Sequence, residues 1–400
     1  MPTGTAVHDR TLALCDSLSY REWAGYYAVS SYEVHFHHEY NAIRNAAALI
    51  DISPLYKYVV SGRDAGRLVD RVVTRDMSKV AVGQVVYTPW CDEHGKVVDD
   101  GTITRLGETT WRWTAADPTL RWIRDNAAGL AIDVEDVSAK VAALALQGPT
   151  SARLLAAAAE ADIAGLRYFR ATRGAIAGVP VGISRNGYTG DLGYEIWMPW
   201  EHAGRIWDHL MEVGRAFDIR PAGMLALDVA RIEAGLLLLE VDYTSCRKAT
   251  IEDQKSSPFE LGWDRLVSLE KGPFVGRAAL EAEMRRGGPS RRLAGIELDW
   301  DSVEAACAKF GLTPNVAAAA SRAAVPVYRG RRQVGKATST TWSPTLKKML
   351  ALATVEADLA VPGTPVEFEI TVEATRRKAT ARIVPLPFFN PPRKTAVPAL

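Results

Sequence analysis

The folding options of this chain are narrowest between Val179 and Phe217, where VPVGISRNGY, TGDLG, YEIWMP and EHAGRIWDHLMEVGRAF follow one another. The first and third segments read as strands, TGDLG supplies a glycine-rich turn between them, and the fourth puts Ala203, Ile206, Trp207 and Leu210 on one helical face. Strand, turn, strand, helix is the signature of a sheet with a helix packed on it. The segment VAALALQGPTSARLLAAA, which opens this unit near Lys140, repeats the theme as a strand, a Gly-Pro turn and a helix begun near Thr150 or Ser151.

The same irregular interleaving of strands and helices precedes it. HEYNAIRNAAALID, from His38 to Asp51, carries apolar residues at helical intervals; LYKYVVSG and QVVYTPW read as strands; DAGRLVDRVV reads as a short amphipathic helix; and VVDDGTITRL and TTWRWTAA form a strand pair around Arg105 to Glu108. Beyond Arg291 strands dominate, from LAGIELDW to TPVEFEITVEATRRKATARIVPLP, and predict a small all-β module. The alanine-rich stretch Val316 to Ala324 reads as a helix or linker. The pattern is α+β. A chain of 400 residues exceeds what one hydrophobic core supports, so two or three domains are expected.

A net charge of +1 provides no global field to gather nucleic acid or an anionic membrane. No run reaches the roughly 18 apolar residues of a membrane span, and MPTGTAVHDRTLALCDS lacks a basic region followed by an apolar one, so a soluble, cytoplasmic protein is expected. Cys15, Cys91, Cys246 and Cys307 are scattered without CxxC spacing, which argues for free thiols. No dinucleotide or P-loop glycine motif and no GxSxG elbow is present.

Three clusters carry potential chemistry. In CDEHGKVVDDGTI, Asp99 and Asp100 are adjacent, and on an extended segment at most one of them points into a given pocket; both also suit a solvated strand end. His35, His37, His38 and Glu39 include metal-ligating types, but no second motif completes a ligand set, so no metal is expected. In YEIWMP, Glu195 shares a face with Trp197. A carboxylate beside an indole suits a planar heterocycle offering adjacent N–H donors, and an outward-facing edge-strand glutamate fits the pattern equally well.

Several stretches, in order, resemble the folate-dependent aminomethyltransferase family, which includes the glycine cleavage T-protein and related tetrahydrofolate-dependent demethylases. They are HHEYNAIRNAAALIDIS, VSGRDAGRLVDRVVTRDM, YTPWCDEHGKVVDDG, LALQGP, RNGYTGDLGYEI, RIEAGLLL, KGPFVGR and TSTTWSP, spanning about residues 38 to 345. The resemblance implies a three-domain, cloverleaf-like folate-binding fold: residues 1–52 plus 139–285 as an α+β folate-binding domain, 53–138 as an inserted α+β domain and 290–390 as a C-terminal β-barrel. It implies Asp99 as the catalytic carboxylate, stabilising an iminium-like species and relaying a proton. It further implies Glu195, Tyr87, Tyr168 and Tyr188 around a bound tetrahydrofolate.

Departures from the family pattern bear on the substrate. Thr114 or a neighbour stands in for a folate-contacting asparagine, Leu227 replaces an arginine common in T-proteins, and Glu240 occupies a position that is usually glycine. A reshaped pocket is expected, with Trp90, Trp113 and Glu240 binding a small molecule that bears an N-, O- or S-methyl group. The reaction expected is transfer of a one-carbon unit to tetrahydrofolate by a demethylase or methyltransferase. The alternatives are a T-protein acting on a lipoylated carrier, a non-catalytic folate-binding relative, and the folate half of a flavin-dependent oxidase whose flavoprotein is a separate subunit.

Overall fold

The computed structural model describes residues 1–317 and 319–398. Two large sheets, a two-stranded hairpin (Ser19–Trp23 and Tyr26–Ser31) and a closed barrel organise them. The larger sheet has seven strands in the order Ala159–Glu160, Ala171–Ile176, Val179–Ser184, Gly193–Pro199, Val141–Gln147, Ala47–Asp51 and Ile219–Pro221. Its outer face is covered by helices Ser151–Ala158 and Ala203–Gly214, whose Leu154, Leu155, Ile206, Trp207 and Leu210 pack against Leu144, Leu146, Tyr194 and Ile196. The other face holds Ala143, Ala145 and Trp197 against helices His37–Asn45 and Met224–Glu233.

The helical reading of His38 to Asp51 holds only for its first half. The helix ends at Asn45, and Ala47–Asp51 is a central strand. Ala47, Ala48, Leu49 and Ile50 are all buried on both faces, and such a continuous apolar run cannot be told from a helix by its period. The stretch Val316 to Ala324 contains no helix among its described residues; Ser321 instead bridges to Thr340 of the barrel.

The second sheet orders Val85–Cys91, Val97–Gly107, Thr110–Ala115, Tyr56–Ser61 and Asp133–Asp136, with helix Ala65–Val72 on one face. Two lysines tie it in place. Lys57 is buried where the chain crosses between the two sheets in both directions, and its ammonium donates to the carbonyls of Ser53 (2.7 Å), Leu55 (2.6 Å) and Ser138 (3.4 Å). Lys271, the first residue of KGPFVGR, caps the end of helix Ala65–Val72 by donating to the carbonyls of Asp70 (2.5 Å), Val73 (2.8 Å) and Arg75 (2.7 Å).

The C-terminal strands Arg291–Leu298, Lys348–Glu356, Arg332–Ser343, Val325–Arg329, Pro365–Val372 and Thr375–Val384 close into a six-stranded barrel. Buried ionic networks join it to helix Met224–Glu233. Glu233 accepts from Arg44 Nε (2.9 Å) and Nη2 (2.6 Å), from the Tyr40 hydroxyl (2.6 Å) and from Ser343 of the barrel (2.5 Å). Arg231 pairs with Asp242 (2.5 Å) and donates to Ser339 of the barrel (2.8 Å). The segments RIEAG and TSTTWSP therefore meet as the two sides of one domain junction. No helix of the described residues is long and apolar enough to cross a membrane.

Candidate active site

A cavity of about 330 Å³ opens between the two sheets, helix Met224–Glu233 and the hairpin Ser19–Trp23/Tyr26–Ser31. Its wall is mostly apolar, with a few convergent polar groups, the usual make-up of a small-molecule site.

Strand alternation decides which carboxylate of the aspartate pair enters it. Asp100 stands opposite Pro89 and shares a face with Tyr87 and Thr102, all turned toward the cavity side. The Tyr87 hydroxyl donates to Asp100 Oδ2 at 2.7 Å, and the Tyr243 hydroxyl donates to Oδ1. Trp263 stands edge-on to both phenol rings, at 6.0 and 5.5 Å. Burial raises the Asp100 pKa above the usual carboxylate value, and the two phenols oppose that rise. The same burial, with Asp100 alongside, holds both phenols well above their ordinary pKa, so they remain donors.

Asp99, expected to be the catalytic group, lies on the opposite face beside Trp90 and does not line the cavity. Its carboxylate accepts the backbone N–H groups of Asp100 (2.7 Å) and Asp117 (3.1 Å). The following Gly101 is required for close approach, since a Cβ there would meet the Thr114 carbonyl oxygen at 2.0 Å.

Glu195 lines the cavity from strand Gly193–Pro199, with Trp197 two residues further along the same face. Burial raises its pKa; the Asn186 amide and the Arg112 guanidinium work against that rise. Arg112 is itself buried, stacked 3.8 Å from the Trp197 ring centroid. Asn186 also lines the cavity, and its Oδ1 is buried without a hydrogen-bond partner among the described residues.

Tyr87, Tyr168, Tyr188 and Thr114 all line the cavity. The Tyr188 hydroxyl donates to the Leu237 carbonyl, and Tyr168 stands edge-on to Phe169 at 4.5 Å. The Thr114 hydroxyl is engaged with Thr102, accepting its N–H at 3.1 Å. Three expected substrate-binding residues are elsewhere. Trp90 and Trp113 are 0% exposed and packed edge-to-face at 5.0 Å in the core of the second sheet. Glu240 occupies a turn at φ 62°, where it accepts the Ser245 N–H at 3.2 Å outside the cavity wall.

Leu227 does line the cavity, and the charge it lacks arrives from other elements. Its neighbour Asp228 is held by Arg322 at 2.6 Å and by Arg21 at 3.3 Å, and all three line the wall. Sequence reasoning missed Asn186, Tyr243, Arg21, Arg322 and Lys394. Asn186 and Tyr243 sit within or next to recognisable segments, whereas the two arginines and the lysine reach the cavity from distant parts of the chain. Among the described residues no cluster of His, Cys, Asp and Glu could hold a metal ion, and Glu39 instead accepts the backbone N–H groups of Tyr32 and Gly223 at 2.7 Å each.

Two α+β units walling a mostly apolar cavity with a few buried carboxylates, joined to a closed six-stranded barrel, define the glycine cleavage T-protein class of fold. Residues 7–271 match the GCVT N-terminal domain, and residues 308–390 match the glycine cleavage T-protein C-terminal barrel domain. The chain is 34% identical to an aminomethyltransferase of Moorella thermoacetica, over 89% of this chain and 90% of that one. It is 36% identical to a trimethylamine-oxide aldolase of Ruegeria pomeroyi over 88% of this chain, but spans only 43% of that longer protein. The crystal structure of glycine cleavage system aminomethyltransferase T from Bartonella henselae superposes with a TM-score of 0.80 at 23% identity, covering 98% of this chain and 99% of that one. The chain belongs to the folate-dependent aminomethyltransferase family.

Proposed function

We propose that this protein transfers a one-carbon unit from a small N-methylated donor to tetrahydrofolate, with Asp100 as the catalytic carboxylate. The observation that carries the reading is the Asp100 carboxylate presented to the cavity between two phenol donors. An ionised carboxylate there stabilises positive charge developing at the donor nitrogen and accepts or returns a proton at that atom, while Tyr87 and Tyr243 hold its oxygens in place. Tetrahydrofolate supplies the nucleophilic nitrogens that accept the carbon. The residues present suit it: Glu195 and the unpartnered Asn186 Oδ1 are two acceptors for the N–H groups of a planar heterocycle, and Tyr168 and Tyr188 supply aromatic surface.

The names of both kinds of relative, aminomethyltransferase and trimethylamine-oxide aldolase, concern nitrogen-bound carbon, which supports an N-methyl donor. Of the departures from the T-protein pattern, Thr114 and Leu227 lie on the cavity wall, and the missing arginine at Leu227 favours a free small donor over a lipoylated carrier. Anaerobic calorimetry with tetrahydrofolate, followed by mass spectrometry of folate products over a panel of methylated amines, tests the reading. Binding and a donor-dependent, carbon-bearing folate product are expected; no binding at high micromolar folate would refute it.

The pH dependence of binding follows from Glu195. Its ionised form is the acceptor, and burial places its titration above the ordinary carboxylate range, so affinity should fall on acidification sooner than for an exposed glutamate. The Arg112 guanidinium favours the ionised form. Arg112→Met is therefore expected to raise the pH at which affinity is lost, and coincident pH profiles for the two proteins would remove Arg112 from this role.

A further inference from the structure

The chain does not stop at the last barrel strand. Residues 386–396 run back over the first sheet as a strap held at several points. The Phe389 N–H donates to the Glu233 carbonyl at 2.8 Å, and the Phe389 ring lies 4.4 Å from the Arg44 guanidinium. Arg393 forks onto Asp191 of the TGDLG turn at 2.6 and 2.8 Å. Arg185, buried beneath, donates to the carbonyls of Arg393 (3.5 Å), Lys394 (3.4 Å) and Ala396. These contacts set Lys394 on the cavity wall, its Nζ 6.0 Å from the centre of the Tyr168 ring.

The charges around the strap do not cancel. Arg44, Arg185, Arg393 and Lys394 face two carboxylates, Asp191 and Glu233, and both are already engaged by Arg44 and Arg393. The other cations of the wall, Arg21 and Arg322, are held on Asp228. Lys394 forms no ion pair among the described residues. A half-buried ammonium in a mostly apolar wall, without a carboxylate of its own, is suited to hold an anion.

We propose that Lys394, delivered by this strap, forms a carboxylate-binding subsite of the cavity, and that its ligand is the glutamate carboxylate of the folate; the proposal rests on the folate reading above. A folate presents a heterocycle, then a benzoyl ring, then a glutamate. An aromatic side chain followed by an ammonium, as Tyr168 and Lys394 stand here, matches the last two groups in order. A carboxylate on the donor would be drawn to the same charge, so the test has to separate the two sources.

Calorimetry on the full chain, its Lys394→Gln and Lys394→Arg variants, with tetrahydrofolate and with the primary amide of tetrahydropteroic acid, which has neither the glutamate nor a free carboxylate, makes that separation. Lys394→Gln should weaken tetrahydrofolate binding about tenfold, as expected for one charge-assisted hydrogen bond, while changing binding of the neutral amide less than about twofold. Lys394→Arg should restore most of the loss. Equal weakening of both ligands, or no weakening of either, overturns the proposal. So does an effect confined to the KM of an acidic donor, which would assign the subsite to the donor. If the unaltered protein binds neither ligand, the folate reading itself falls and takes this proposal with it.

Discussion

Asp100→Asn is expected to reduce turnover at saturating folate and donor by about 10²- to 10⁴-fold, the range associated with losing a positioned acid–base group. Folate affinity should change little, because Glu195 and Asn186 line another part of the wall and asparagine keeps the shape of the side chain. The comparison with Asp99→Asn is what gives the experiment its force. Asp99 accepts two backbone N–H groups and does not line the cavity, so its replacement should lower thermal stability and leave most of the turnover of the folded fraction. Single-turnover measurements on both variants, paired with thermal unfolding, separate these outcomes. If Asp99→Asn abolishes turnover in a fully folded protein and Asp100→Asn does not, the assignment made from strand parity is wrong.

The second large effect concerns Glu233. Its carboxylate accepts four hydrogen bonds, two from Arg44 and one each from Tyr40 and Ser343, and neither Arg44 nor Glu233 reaches solvent to a useful degree. Removing one member of a buried pair leaves the other charged and unsolvated, so Glu233→Gln is expected to cost about 3–5 kcal/mol of stability. The double variant Arg44→Met, Glu233→Leu should be less damaged than the sum of its parts, since neither charge then remains alone. Denaturant unfolding monitored by tryptophan fluorescence reads both. A loss below about 1 kcal/mol for Glu233→Gln would place the pair among ion pairs that contribute little.

What could be read in the residues divides along physical lines. The helix Ala203–Gly214 was legible because its apolar residues recur at helical spacing, and the barrel strands because they alternate between short turns. Ala47–Asp51 was not, because a strand buried on both faces has no alternation to show. The site follows the same rule. Glu195 could be placed opposite Tyr194 and Ile196 by counting along one strand. The choice between Asp99 and Asp100 depends on which face of the hairpin Val85–Cys91/Val97–Gly107 meets the cavity, and a register shift at Trp90 and Cys91 makes counting from the neighbouring strand unsafe. Trp90 and Trp113 are aromatic residues beside the right strands, yet they face the helix rather than the cavity. Residues such as Arg322 and Lys394 join the wall through contacts made some hundred or more positions away in the chain, for which local pattern offers no signal.

The lysine at the crossing between the sheets bears on how anything enters. With both chain passages at Ser53 to Leu55 and Ser138 tied to one ammonium, the two sheets lack a loose hinge about which to open and shut. The remaining cover of the cavity comes from two separately held pieces, the hairpin carrying Arg21, tied to Asp228, and the strap carrying Lys394, tied through Arg393 to Asp191. The cavity is in this sense a fixed vessel, its walls set by Lys57 and its covers pinned at Asp228 and Asp191.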